Sequence, residues 1–160
     1  MTLLLTYHRT LPVAPPDNVH ILARETFRRQ IELIADSGIA VAAPHEFVQA
    51  GRHGGHRLGL TFDDGFVSDL ICAATLADAG MKGIFFISTA HIGEHGYLDV
   101  QGIRELDALG MTVGSHSHEH LRLTRCSDAE VRMQARLSRA LLEDILGKPV
   151  RDFAYPGGAY

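Results

Sequence analysis

The sequence predicts an α/β fold with a parallel sheet, on two observations. Short apolar runs of strand length recur along the chain, at residues 3–7, 39–42, 58–62, 84–87, 111–113 and 153–155. Between them lie segments whose apolar residues return at helical spacing, and strand–helix alternation is the mark of a parallel α/β sheet. The first helical segment carries Phe27, Ile31 and Ile34 at i, i+4, i+7, with Gly38 to end it. Leu70, Ala73, Ala74 and Ala77 repeat the pattern before Gly80, and Ile103, Leu106 and Leu109 repeat it before Gly110. The last helix has the clearest start: Ser127-Asp128-Ala129-Glu130 fits a capping box, in which Ser accepts from the third helical N–H and Glu reaches back. Leu137, Leu141 and Ile145 then lie on one face, with Gly147 and Pro149 as stops. Residues 14–17 and 52–56 read as loops, and neither resembles a domain linker.

The 160 residues suit a single domain, residues 1–160. The formal net charge of -4, from 15 basic and 19 acidic side chains, gives no electrostatic basis for binding nucleic acid or an anionic membrane. No apolar run approaches the ~20 residues that span a bilayer. The opening residues 1–8 have no basic region before them and no small-residue cleavage site after them, so they read as a buried strand and the chain as unexported and cytoplasmic. Cys72 and Cys126 read as unpaired thiols.

Ligands of parallel α/β folds bind where the strands end. His8-Arg9 follows the first predicted strand, and Asp63-Asp64-Gly65 follows the third. His91 and His95 follow the fourth, His116 to His120 the fifth, and Pro156-Gly157-Gly158 the sixth. Adjacent carboxylates point different ways, so one can ligate a metal while the other stays free as a base; Asp-Asp-Gly alone also suits a solvated turn. His116 and His120, at i, i+4, bring two imidazoles to one side of a helical turn, and with a carboxylate they make a ligand set suited to zinc or a similar ion. His118 between them is expected to be exposed. Pro156 and the two glycines let the backbone turn sharply, so that an N–H can meet a developing oxyanion; a plain turn has the same composition.

Taken together, these residues resemble the polysaccharide deacetylase family, carbohydrate esterase family 4 with its NodB homology domain. Thr-Phe-Asp-Asp-Gly stands complete at residues 61–65, and His-Ser-x-x-His at 116–120. The third motif, Arg-x-Pro-x-Gly, is matched at Pro156 and Gly158 with Ala154 in place of Arg. Tyr7-His8-Arg9, Phe85-Phe86, Gly114-Ser115 and Phe153-Ala154-Tyr155-Pro156 resemble the branch acting on exopolysaccharides such as poly-N-acetylglucosamine. The resemblance implies a distorted (β/α)7-type barrel, incomplete at its C-terminal end, since the family's late motifs, including an acid histidine, are not matched before residue 160. It implies Asp63 as catalytic base and Gly157 as an oxyanion donor. Asp64, His116 and His120 would hold one divalent metal, zinc first, with cobalt, nickel or iron possible. His8, Arg9, Tyr155 and Pro156 would support the site or an N-acetylated glycan. The same scaffold also suits hydrolysis of other amides, such as cyclic imides, or metal and glycan binding without turnover.

Overall fold

A computed structural model describes residues 2–42 and 57–159; the predicted loop at 52–56 lies outside them. Its main sheet is parallel throughout. β1 (Thr2–Tyr7) pairs along its whole length with β5 (Arg57–Phe62), from Thr2 opposite Arg57 to Tyr7 opposite Phe62. β5 pairs with β6 (Ile84–Ile87), and β6 with β7 (Thr112–Ser115). The short β4 (Ala40–Val41) pairs with the first residues of β5. Helices α1 (Arg24–Ser37), α2 (Asp69–Asp78), α3 (Val100–Ala108) and α4 (Asp128–Leu146) complete the α/β succession. All four residues of β6 and the last five of β5 are buried, as strands covered on both faces must be.

An aromatic column fixes the centre of the sheet. Phe62 stacks on Phe85 at 4.4 Å between centroids and on Tyr7 at 5.2 Å, and Phe27 of α1 meets Tyr7 edge-on at 5.1 Å. Thus β1, β5, β6 and α1 are locked together just below the residues that leave β1 and β5. Gly114 in β7 is required by the same tight packing, because a Cβ there would stand 2.6 Å from the Phe86 ring.

Several expectations need correction. The predicted strand at 153–155 is a single parallel bridge, Phe153 to Ser115. The first strand is not uniformly buried: Leu3 and Leu4 are half exposed, and Leu4 lines the open cavity described below. A second, two-stranded sheet, β2 (Arg9–Leu11) with β3 (Ile21–Ala23), went unforeseen, since three-residue strands carry no readable periodicity.

The capping box of α4 forms, with Ser127 Oγ accepting from Glu130 N and Glu130 Oε2 accepting from Ser127 N at 2.7 Å. Its inner face is another matter. Leu137 and Leu141 are 38% and 37% exposed, while Gln134, Ser138 and Leu142 are fully buried and Ile145 is partly buried against the core. The front half of this helix packs on a polar loop, not on the hydrophobic core, so apolar spacing pointed to the wrong face.

Truncation separates the two faces. Leu142→Ala is expected to cost about 2–5 kcal/mol, as a cavity in a closed site does, and Leu141→Ala below about 1 kcal/mol. Urea unfolding of both variants measures this; equal losses would place α4 in another rotation.

Candidate metal centre

Three strand ends and one short turn converge on a cavity of about 1060 Å3. It is lined by Asp63 and Asp64 after β5, by His116 and His120 after β7, by His8 and Arg9 after β1, and by Tyr155 and Gly157 near the C-terminus. Phe66, Asn18, His20 and Asp152 line it as well.

The backbone bends unusually around the candidate ligands. Asp64 has φ 81°, Ser117 68° and His120 56°, all in the left-handed region where non-glycine residues are uncommon. Residues 116–120 therefore form an irregular loop, and the expected helical turn is absent. The two reversals, at Ser117 and His120, bring the imidazoles together in place of helical periodicity: their centroids stand 4.9 Å apart. Such backbone costs on the order of 1–3 kcal/mol per residue and persists where surrounding contacts enforce it.

The side chains then meet. Asp64 Oδ1 lies 3.6 Å from His116 Nε2 and 3.2 Å from His120 Nε2. His116 Nδ1 donates to the carbonyl of Ala154 at 3.0 Å, which leaves Nε2 as the lone-pair nitrogen facing the carboxylates. The three ligand atoms lie within 4.8 Å of one another. A tetrahedral ion with bonds of about 2.0–2.2 Å needs ligand atoms about 3.4 Å apart, and one carboxylate with two imidazoles is a donor set suited to zinc and its neighbours. The residues fit a divalent ion with an open coordination position.

Asp63 stands just outside this set, with Oδ2 4.0 Å from His116 Nε2. Its carboxyl is pushed up to about 7, by burial first and by the charge of Asp64 second. Burial pushes Asp64 up too, but its hydrogen bond to His120 and the charges of His120, His116 and His8 outweigh this and hold it below the usual range. His116 is brought down to about 4 by burial and by neighbouring His120, so it is neutral at ordinary pH and offers a lone pair. His120 is held up, chiefly by its hydrogen bond to Asp64. Burial lowers His8.

Other predicted residues fall outside the group. Pro156 is buried and does not line the cavity. His91 stacks on Tyr97 and pairs with Glu94, and it borders a small cavity behind Asp64 and His120. His95 is exposed. His118 is half-buried, contrary to expectation, with Nδ1 hydrogen-bonded to Thr89 Oγ1 at 2.8 Å. His20 went unnoticed in the sequence. It reaches the site because β3 pairs with β2, which sets its ring 4.8 Å from that of His8. Only that strand pairing, invisible in the local pattern, signals it.

The raised Asp63 pKa has a consequence for the metal-free protein. The unfolded carboxyl ionises near 3.8 and the folded one near 7, so stability from this group is full below about pH 4 and is lost as pH rises through 7. In chelator, Asp63→Asn is therefore expected to melt above the wild type at about pH 8, with the gap closing toward about pH 4. Melting curves that stay parallel over that range would show Asp63 to be unshifted.

The comparisons with known proteins agree with this architecture. YxkH of Bacillus subtilis (strain 168) is 23% identical over 98% of this chain, which spans 57% of YxkH. The structure of Streptococcus pyogenes deacetylase PplD in complex with acetate superposes with a TM-score of 0.88 at 23% identity, covering 98% of this chain and 74% of that one. IcaB from Ammonifex degensii gives a TM-score of 0.82 at 26% identity, with the same shares covered. These likenesses identify the open parallel arc as part of a (β/α)7 barrel. Residues 50–160, well over half of the chain, match the family described as polysaccharide deacetylase, and the chain belongs to that family.

Proposed function

We propose that this chain carries the catalytic centre of a metal-dependent N-deacetylase acting on N-acetylated amino-sugar polymers. One observation supports this above the rest: adjacent carboxylates divide their roles. Asp64 faces both imidazoles, at 3.6 and 3.2 Å, while Asp63 lines the same cavity with its carboxyl pushed up to about 7.

The roles follow from these positions. Asp64, His116 and His120 would hold the divalent ion, zinc in this reading. When bound, such an ion lowers the pKa of a coordinated water and polarises an acyl oxygen. Asp63 takes the proton of the attacking water. A cation held beside Asp64 would lower the Asp63 carboxyl from its metal-free value of about 7, leaving it ionised and able to accept that proton. The N–H of Gly157, on the cavity wall at φ 66°, donates to the oxyanion. His8, Arg9 and Tyr155 flank the sugar. Arg9 is braced for this by lying over the Phe66 ring at 5.3 Å. The protonated Asp63 returns its proton to the departing nitrogen as the C–N bond breaks, which leaves acetate and a free amine on the glycan.

Acetate release from N-acetylglucosamine oligomers by the complete protein, with zinc and with chelator, tests the reading. Asp63→Asn is expected to lose about 10²–10⁴ in turnover while still binding zinc. Asp64→Ala is expected to lose both. Zinc-dependent cleavage of a cyclic imide with no acetate from any oligomer would sink the sugar assignment.

A further inference from the structure

The buried face of α4 is polar where a core helix is usually apolar, and its polar groups all turn to one place. Gln134 is 0% exposed. Its Oε1 accepts from Ser117 Oγ at 2.9 Å, from the His118 N–H at 3.1 Å and from the Glu119 N–H at 2.8 Å, while its Nε2 donates to Glu119 Oε2. Four residues further along, Ser138 Oγ bonds Ser115 Oγ at 2.7 Å, and Ser115 Oγ in turn accepts from the Ser117 N–H. The segment so gripped is the stretch between His116 and His120, and it contains the left-handed Ser117.

We propose that Gln134 is the positioning residue of the metal centre: its amide oxygen fills the nest of donors formed by Ser117 to Glu119 and so holds His116 and His120 in ligating geometry. The inference rests on the reading of Asp64, His116 and His120 as metal ligands. Its physical basis is the strained loop. A left-handed Ser117 turns the buried Ser117 hydroxyl and two consecutive, partly buried N–H groups toward α4, where each is costly without an acceptor. One buried oxygen satisfies all three. Without it the loop relaxes toward ordinary backbone, and the imidazoles part. The opposite side of the loop is fixed independently, by the Thr89 N–H to Ser117 O at 3.3 Å and the Ala90 N–H to His118 O at 2.9 Å. Gln134 therefore closes a clamp whose other jaw is backbone.

The chemistry of the nest also specifies what can replace Gln134. An acceptor is essential to it, and the donor to Glu119 is not. A carboxylate at 134 serves as acceptor but faces the Glu119 carboxylate. Exchanging the two, with Gln134→Glu and Glu119→Gln together, restores both acceptor and donor. Methionine at 134 keeps the volume and removes both.

Zinc titration of the purified wild type, Gln134→Met, Gln134→Glu/Glu119→Gln and Leu142→Ala tests the proposal, with the visible spectrum of the cobalt-loaded forms as a report on ligand geometry. Expected are a zinc Kd raised about 10–100-fold and an altered cobalt spectrum in Gln134→Met, both recovered in the exchanged pair. Leu142→Ala, on the same helix, lowers the melting temperature and leaves Kd and spectrum unchanged in the folded protein. A wild-type Kd and spectrum in Gln134→Met overturn the proposal and leave the metal assignment standing. So does a Kd change in Leu142→Ala equal to that in Gln134→Met, which makes the effect one of helix stability. Absence of zinc binding by the wild type overturns the metal assignment and the proposal with it.

Discussion

The carboxylates of Asp63 and Asp64 stand side by side where β5 leaves the core. Like charges so close to the interior raise each other's proton affinity unless a cation is present. The structure resolves the conflict asymmetrically. Asp64 receives two imidazoles and stays ionised; Asp63 receives desolvation and a neighbouring negative charge, and holds its proton to about 7. A third carboxyl, Asp69 at the start of α2, is fully buried and is held well above its usual range by burial and by the charges of Asp64 and Asp63. Of the three, only Asp64, which has imidazole partners, is held below the usual carboxylate range.

Holding this arrangement requires a rigid surround. Tyr7 and Phe62 lie directly before His8 and Asp63 in sequence, and Phe62 stacks on both Tyr7 and Phe85, so His8 and Asp63 leave neighbouring strands whose register is fixed by packing. His116 is anchored at both ends: its N–H donates to Ile87 O and its Nδ1 to Ala154 O. The Ala154 contact comes from a backbone carbonyl, so it does not depend on the side chain at that position.

The strained loop and the polar face of α4 are one feature seen from two sides. Left-handed backbone at Ser117 leaves inward-facing donors, and buried Gln134 and Ser138 have hydrogen-bonding groups that need partners. Each removes the other's penalty. This is why α4 turns leucines outward and a glutamine inward.

Much of this protein is determined by sequence alone. The alternation of strand-length runs and helical spacings specified a parallel α/β fold, because those periodicities are local consequences of backbone geometry. The capping box at Ser127 and the glycine stops at Gly38 and Gly147 are equally local, and they form as read. Asp63, Asp64, His116 and His120, which the structure gathers on one cavity, could be picked out because their chemistry and order are written in short segments. Tertiary structure decided the rest. The His116–His120 spacing is compatible with a helix, and only contacts from α4 and the Thr89 turn impose the left-handed loop. His20 joins His8 solely through a three-residue strand pairing. The rotation of α4 depends on whether its neighbour is a hydrophobic core or a loop with unsatisfied donors, and hydrophobic periodicity carries no information about that neighbour.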